Sequence, residues 1–148
     1  MEKRPAACRR FLARPIHELR AEEQEEIARE TLAVLHHPDF APLFGPGSQA
    51  EVPITGEITG PGGSFIVSGQ VDRLLVADRA VFIIDYKSNR PPPASEGDVA
   101  ASYLRQMAAY QDLLVRVYPD RPINCALLWT SEPRLMPLSP RLLAGYLP

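Results

Sequence analysis

Gly69-Gln70-Val71-Asp72-Arg73-Leu74 and, shortly after it, Ile83-Ile84-Asp85-Tyr86-Lys87-Ser88 decide how this chain folds. Ile66-Val67, Val71, Leu74-Leu75-Val76 and Val81-Phe82-Ile83-Ile84 supply the β-branched and apolar residues of buried strands. Among them stand two carboxylates and an ammonium: Asp72, Asp85 and Lys87. An unpaired charge is costly to bury, so the pattern requires a compensating partner. A divalent cation would serve. The bland alternative is a solvent-facing strand with a cross-strand Lys–Asp pair.

Ala77-Asp78-Arg79-Ala80 separates the two runs and reads as a polar hairpin loop. A two-residue loop (Asp78-Arg79) and a four-residue loop (77 to 80) share one centre. Either predicts Asp72 directly opposite Asp85, with Cβ atoms about 4.5–5.5 Å apart. Like charges repel at that distance unless a cation or a proton intervenes. Lys87 has the parity of Asp85 and projects from the same face. Upstream, Glu51-Val52-Pro53-Ile54-Thr55-Gly56-Glu57-Ile58 alternates apolar and polar residues and runs into the turn cluster Thr59-Gly60-Pro61-Gly62-Gly63-Ser64. A hairpin centred on Pro61-Gly62 pairs Glu51 with Asp72. The expectation is one acidic row, Glu51, Asp72 and Asp85, across three antiparallel strands. Pro53 suits an edge strand, where a missing N–H is tolerated.

The 148 residues predict a single domain, 1–148, in four parts: a helical N-terminal part (1–46), the meander with its metal site (47–90), a helix and core strand (91–131) and a tail (132–148). Residues 1 to 14 are basic and look like the remnant of an element that begins further upstream. A charged helix is predicted from His17 to His36, stopped by Pro38. Asn89 to Asp98 reads as an extended connection, with Asp98 as N-cap of a helix from Val99 to Tyr118. Its apolar face would use Val99, Tyr103, Met107, Tyr110, Leu114 and Val117. Ile123 to Thr130 is a strong strand, and the tail is irregular or holds one short strand or helix. The order is helix, three-strand meander, helix, strand. It predicts an α/β fold with a mixed sheet, the last strand joined by a helical crossover and parallel to a meander strand.

A net charge of -2 announces no global nucleic-acid surface, although a local basic patch or a metal can serve instead. Cys8 and Cys125 offer neither zinc spacing nor a disulfide framework, and Cys125 reads as an inert buried thiol. No apolar run is long enough to span a membrane and no signal-peptide core is present, so a cytoplasmic location is the default.

Gly69-x-x-Asp72-Arg73, Asp85-Tyr86-Lys87 and Gln106-x-x-x-Tyr110, in this order, resemble the RecB-like branch of the PD-(D/E)XK nucleases. Within it they resemble the C-terminal nuclease domain of the AddA type of helicase–nuclease subunit. The resemblance covers about residues 20 to 140. It implies a restriction-endonuclease-like core, with Asp72, Asp85 and the Tyr86 backbone carbonyl as metal ligands and Glu51 as a candidate further ligand. Lys87 would orient or activate the attacking water and stabilise developing charge. Gln106 and Tyr110, one helical turn apart, would support the site or touch DNA, as would Arg73. The implied cofactor is Mg²⁺ or Mn²⁺. The implied activity is a deoxyribonuclease of exonuclease type, acting in double-strand-break repair. The implied partners are DNA, helicase domains of the same full-length chain and a second helicase–nuclease subunit, with no membrane.

One departure accompanies the match. Such nucleases carry a His metal ligand on a helix upstream of the meander, in a context like Gly-x-x-x-His-x-x-Leu. His17, His36 and His37 stand in other surroundings. The chain is therefore expected to be truncated at its N-terminus and short of a ligand when isolated. Relatives with an iron–sulphur cluster need four cysteines, and this chain has two. The rival expectation is a catalytically incomplete fragment acting as a DNA-guiding or subunit-docking module.

Bland readings are expected elsewhere. His36-His37-Pro38-Asp39 is read as a helix C-terminus. Glu22-Glu23-Gln24-Glu25-Glu26 is read as a solvated helix face. Trp129 and Tyr103 are read as core.

Overall fold

The structure, a computed structural model, describes residues 3–60 and 63–147. Five strands form one sheet in the order β1 (Ser48–Gly60), β2 (Gly63–Val76), β3 (Val81–Lys87), β4 (Ile123–Trp129) and β5 (Arg134–Leu138). β1, β2 and β3 are a meander of antiparallel pairs. β4 lies parallel to β3, reached through helix α3 (Ala101–Val117), and β5 returns antiparallel at the far edge. α3 and the short α4 (Pro140–Ala144) pack on one face. α2 (Ala21–His36) and a 3-10 turn over Pro38–Phe44 cover the other, with α1 (Lys3–Leu12) against α2. The mixed α/β sheet predicted from the sequence is what forms. The tail holds both a strand and a helix rather than one of them.

β3 is the central strand and shows why its sequence is almost uniformly apolar: both its faces are covered. Val81 and Ile83 belong to the α3-side core, with Leu104, Met107, Leu127 and Trp129. Ile84, with Phe82 and Tyr86, packs on the α2 side, against Val34, Phe40, Leu43 and Leu128. Trp129 is core, as expected. Pro53 lies on β1, an edge strand.

Both hairpin registers are as predicted. β2 and β3 pair through Arg73–Ile84, Leu74–Ile83, Leu75–Phe82 and Val76–Val81, and Ala77 N–H donates to the Ala80 carbonyl (2.9 Å) in the loop. β1 and β2 pair from Ser48–Leu75 to Gly60–Gly63. The predicted centre of that hairpin, Pro61-Gly62, lies outside the described residues. One step is missing from the β1–β2 run, between Ala50–Arg73 and Val52–Val71: the Glu51–Asp72 step. Glu51 has a left-handed backbone, φ 55°. On β2, Val67 and Val71 face α3, and so do Leu74 and Val76, which have the opposite parity. The side-chain alternation changes phase at Glu51 and Asp72 while the register holds.

Two helix starts differ from the sequence expectation. Glu18 adopts φ 51° after a 3-10 turn at Pro15–His17, so α2 begins only at Ala21, where Arg20 N–H is held by the Glu23 carboxylate (2.8 Å). Asp98 does not cap α3. It closes a separate 3-10 turn, accepting from the Ser95 N–H (3.2 Å) and hydroxyl (2.8 Å), and Ala100 precedes α3 with no side-chain cap. The buried stripe of α3 is Leu104, Met107, Ala108, Tyr110, Leu113 and Leu114, whereas Val117 is 62% exposed. The predicted Met107, Tyr110 and Leu114 lie on it, Val99 is buried just before it and Tyr103 packs against it, while Leu104, Ala108 and Leu113 were not anticipated. The acidic run is not simply solvated: Glu23 pairs with Arg20, Glu25 with Arg9 and Glu26 with Arg90. No helix among the described residues is long and apolar enough to cross a membrane.

Candidate metal centre

The β2–β3 ladder ends at Arg73–Ile84, and the next step in register would set Asp72 opposite Asp85. There the strands part. The Tyr86 N–H donates to the Asp72 carboxylate (Oδ2, 2.7 Å), a side chain standing in for the main-chain acceptor that β2 no longer offers. Asp85 is 3% exposed, the sole buried charged residue among those described. The Lys87 ammonium lies against its Oδ2, and that oxygen receives no hydrogen bond of good geometry. Burial pushes the Asp85 carboxyl above the ordinary carboxylate range; the Lys87 ammonium opposes this and the Asp72 charge adds to it. Burial outweighs the ion pair.

Lys87 is itself 13% exposed along its side chain. Its Nζ stands 4.0 Å from the centroid of the Tyr103 ring, and the Tyr103 hydroxyl donates to Asn89 Oδ1 (2.9 Å). A cation–π contact contributes about 0.5–1 kcal/mol at an exposed site and about 2 kcal/mol when desolvated. Tyr103 was expected in the core. It is half-buried, its edge in the core and its face on Lys87. A signal was present: Tyr103, Gln106 and Tyr110 stand at helical spacing on one stripe of α3.

Gln106 and Tyr110 meet the sheet just upstream of Asp72. The Tyr110 hydroxyl accepts from the Gln70 N–H (3.2 Å) and from Gln106 Nε2 (3.2 Å) and donates to the Gln70 carbonyl (3.2 Å). It therefore satisfies β2 backbone groups where the strand loses β3 as its neighbour. The close approach needs Gly69, because a Cβ there would lie 2.2 Å from the hydroxyl oxygen.

The remaining predicted residues stand apart from this cluster. Glu51 is exposed; its backbone carbonyl accepts from Gln70 Nε2 (3.1 Å), and its carboxylate makes no hydrogen bond or ion pair among the described residues. Arg73 lies on the α2 face, donating to the Tyr86 hydroxyl (3.2 Å) with its guanidinium 5.1 Å above the Phe44 ring. His37 stacks on Phe40, centroids 4.0 Å apart. Among the described residues no three His, Cys, Asp or Glu side chains come together.

Two adjoining carboxylates and a nearby main-chain carbonyl fit a small hard cation. Mg²⁺ keeps several waters and takes only one or two protein carboxylates. Asp85 Oδ2, buried against Lys87 at a cost that the ammonium does not offset, is the kind of group such a cation would help to satisfy.

The profile of the PD-(D/E)XK nuclease superfamily matches residues 2–136, and the chain belongs to that superfamily. Membership implies nuclease activity and a divalent metal of the Mg²⁺ kind. No curated protein sequence matches significantly. Among solved structures, one titled "Crystal structure of SSO0001" is similar at 15% identity and a TM-score of 0.40, over 94% of this chain and 68% of that one.

Proposed function

We propose that this chain is a Mg²⁺- or Mn²⁺-dependent deoxyribonuclease domain of the RecB-like branch, of exonuclease type. It would serve a helicase–nuclease that processes double-strand breaks. Asp72, Asp85 and the Tyr86 carbonyl would hold the metal. A bound cation supplies a polarised phosphate and a more acidic water. Lys87 places a positive charge where negative charge develops on the phosphate, a contribution that grows toward the transition state. Gln106 and Tyr110 keep the β2 backbone, and with it Asp72, in position. The observation that carries this reading is the buried Asp85, with Lys87 on one oxygen and Asp72 opposite it in register, just past the last ladder pair.

The test is nicking of single-stranded DNA by wild type, Asp85→Asn and Lys87→Ala, with Mg²⁺, Mn²⁺ or chelator. Weak, metal-dependent cleavage by wild type, and none by the two variants, is expected. Equal, metal-independent cleavage by all three would identify a contaminant and remove the claim.

A second reading, a DNA-guiding or subunit-docking module that retains the fold, draws on one observation. The described residues gather two acids at the site and no third ligating side chain. DNA retention without cleavage in any metal would favour it.

A further inference from the structure

The sequence contains two lysines, Lys3 and Lys87, among sixteen basic Lys and Arg residues. Lys87 is held at three points. Its backbone carbonyl accepts the Thr130 N–H (2.9 Å), which fixes the main chain to the end of β4. Its ammonium touches Asp85 Oδ2. The same ammonium faces the Tyr103 ring at 4.0 Å, and the ring is pinned by its hydroxyl to Asn89 Oδ1, two residues beyond Lys87.

These holds differ in what competes with them. A cation that took the Asp85 oxygen on which Lys87 rests would compete with the ammonium for it. A lysine held only by that carboxylate would then be free to swing into water, where a long flexible side chain gains entropy. The Tyr103 ring offers an attraction that no metal ligand competes for, because the negative face of an aromatic ring draws an ammonium without using an oxygen.

We propose that Tyr103 is a positioning residue that retains the Lys87 ammonium at the site when Asp85 is engaged elsewhere, with Asn89 fixing the ring. The inference rests on the nuclease reading, which gives Lys87 its task.

Two lysines make the test direct. Protein labelled with ¹³C-lysine shows two sets of ε-methylene signals, with the exposed Lys3 as internal reference. The Lys87 protons are expected upfield of those of Lys3 through the ring current, and to stay upfield at saturating Mg²⁺. Tyr103→Leu collapses the displacement and Tyr103→Phe retains it. In single-stranded DNA cleavage, Tyr103→Leu lowers kcat about tenfold or more with KM within about threefold, and Tyr103→Phe recovers to within about threefold of wild type. Coincident lysine signals in wild type overturn the proposal, even if Tyr103→Leu fails to fold. A wild-type activity that Lys87→Ala abolishes and Tyr103→Leu leaves intact overturns the proposal alone. Absence of cleavage by wild type in every metal overturns the nuclease reading and the role of Tyr103 with it.

Discussion

Gly69 and Tyr110 are mutually dependent: the hydroxyl oxygen of one occupies the place where a Cβ of the other would sit, 2.2 Å away. Gly69→Ala is therefore expected to destabilise the protein by about 1–3 kcal/mol, as overpacking does. Tyr110→Phe, which strands the Gln70 N–H and carbonyl bonded to that hydroxyl, should cost about 1–3 kcal/mol. The double variant should be less destabilised than the sum of the two, since removing the hydroxyl makes room for part of the new methyl. Urea unfolding of the four proteins measures the coupling. Strict additivity would show that the two positions do not share a constraint.

Metal should stabilise the folded chain through its acids. At a hundredfold excess over Kd, a ligand specific to the folded state adds about 2.7 kcal/mol. For a chain of this size, that is roughly 5–10 °C in Tm. Asp85→Asn is expected to abolish the shift with Mn²⁺ or Mg²⁺. Glu51→Gln should leave most of it, because the Glu51 carboxylate stands exposed and makes no bond at the site. A shift that survives Asp85→Asn would place the metal elsewhere.

The raised Asp85 pKa predicts a pH dependence in metal-free protein. The folded state holds this proton to a higher pH than the unfolded chain, whose value is near the ordinary 3.8. Stability therefore falls as pH rises from about that value through the raised folded one, and levels off above it. Urea midpoints in chelator, across acid and neutral pH, should show this loss in wild type and not in Asp85→Asn. Parallel curves for the two proteins would contradict it.

The two cysteines should separate by reactivity. Burial raises the Cys125 thiol to about 12, with its sulfur 4.0 Å from the Met107 carbonyl, whereas Cys8 is half-buried on α1. At pH 8 a thiol reagent is expected to modify one site per native chain and a second only on denaturation. Rapid labelling of both sites in native protein would contradict the buried placement.

Much of this was legible because the centre of a turn fixes the register of the two strands it joins. Once Asp78-Arg79 is taken as a turn, the partners of β2 and β3 are fixed, and the same holds for β1 and β2. What escaped was the phase change at Glu51 and Asp72. A left-handed Glu51 leaves no mark in composition, because only glycine advertises such a backbone. It is also why the expected acidic row reads two carboxylates and an exposed third. Tyr103 escaped for another reason: a tyrosine on an apolar stripe looks the same from sequence whether its face meets leucine or an ammonium. Arg90 escaped because its partners, Glu26 and Glu30, lie far upstream and only the fold brings them together.

The parting of β2 from β3 has a mechanical consequence. Beyond Arg73, β1 and β2 continue as a two-stranded ribbon from Val52 and Val71 outward, with no third strand beside them, braced from α3 at Gly56 and Gly69. Such a ribbon twists more readily than a full sheet. Asp72 sits at its root, while Asp85 and Lys87 sit on the strand flanked on both faces by core. The two acids thus belong to bodies of unequal stiffness, and an ion bridging them would act as a rivet between arm and body. A load on the ribbon, such as a nucleic-acid strand laid along it, would reach the carboxylate pair through a lever longer than the site itself.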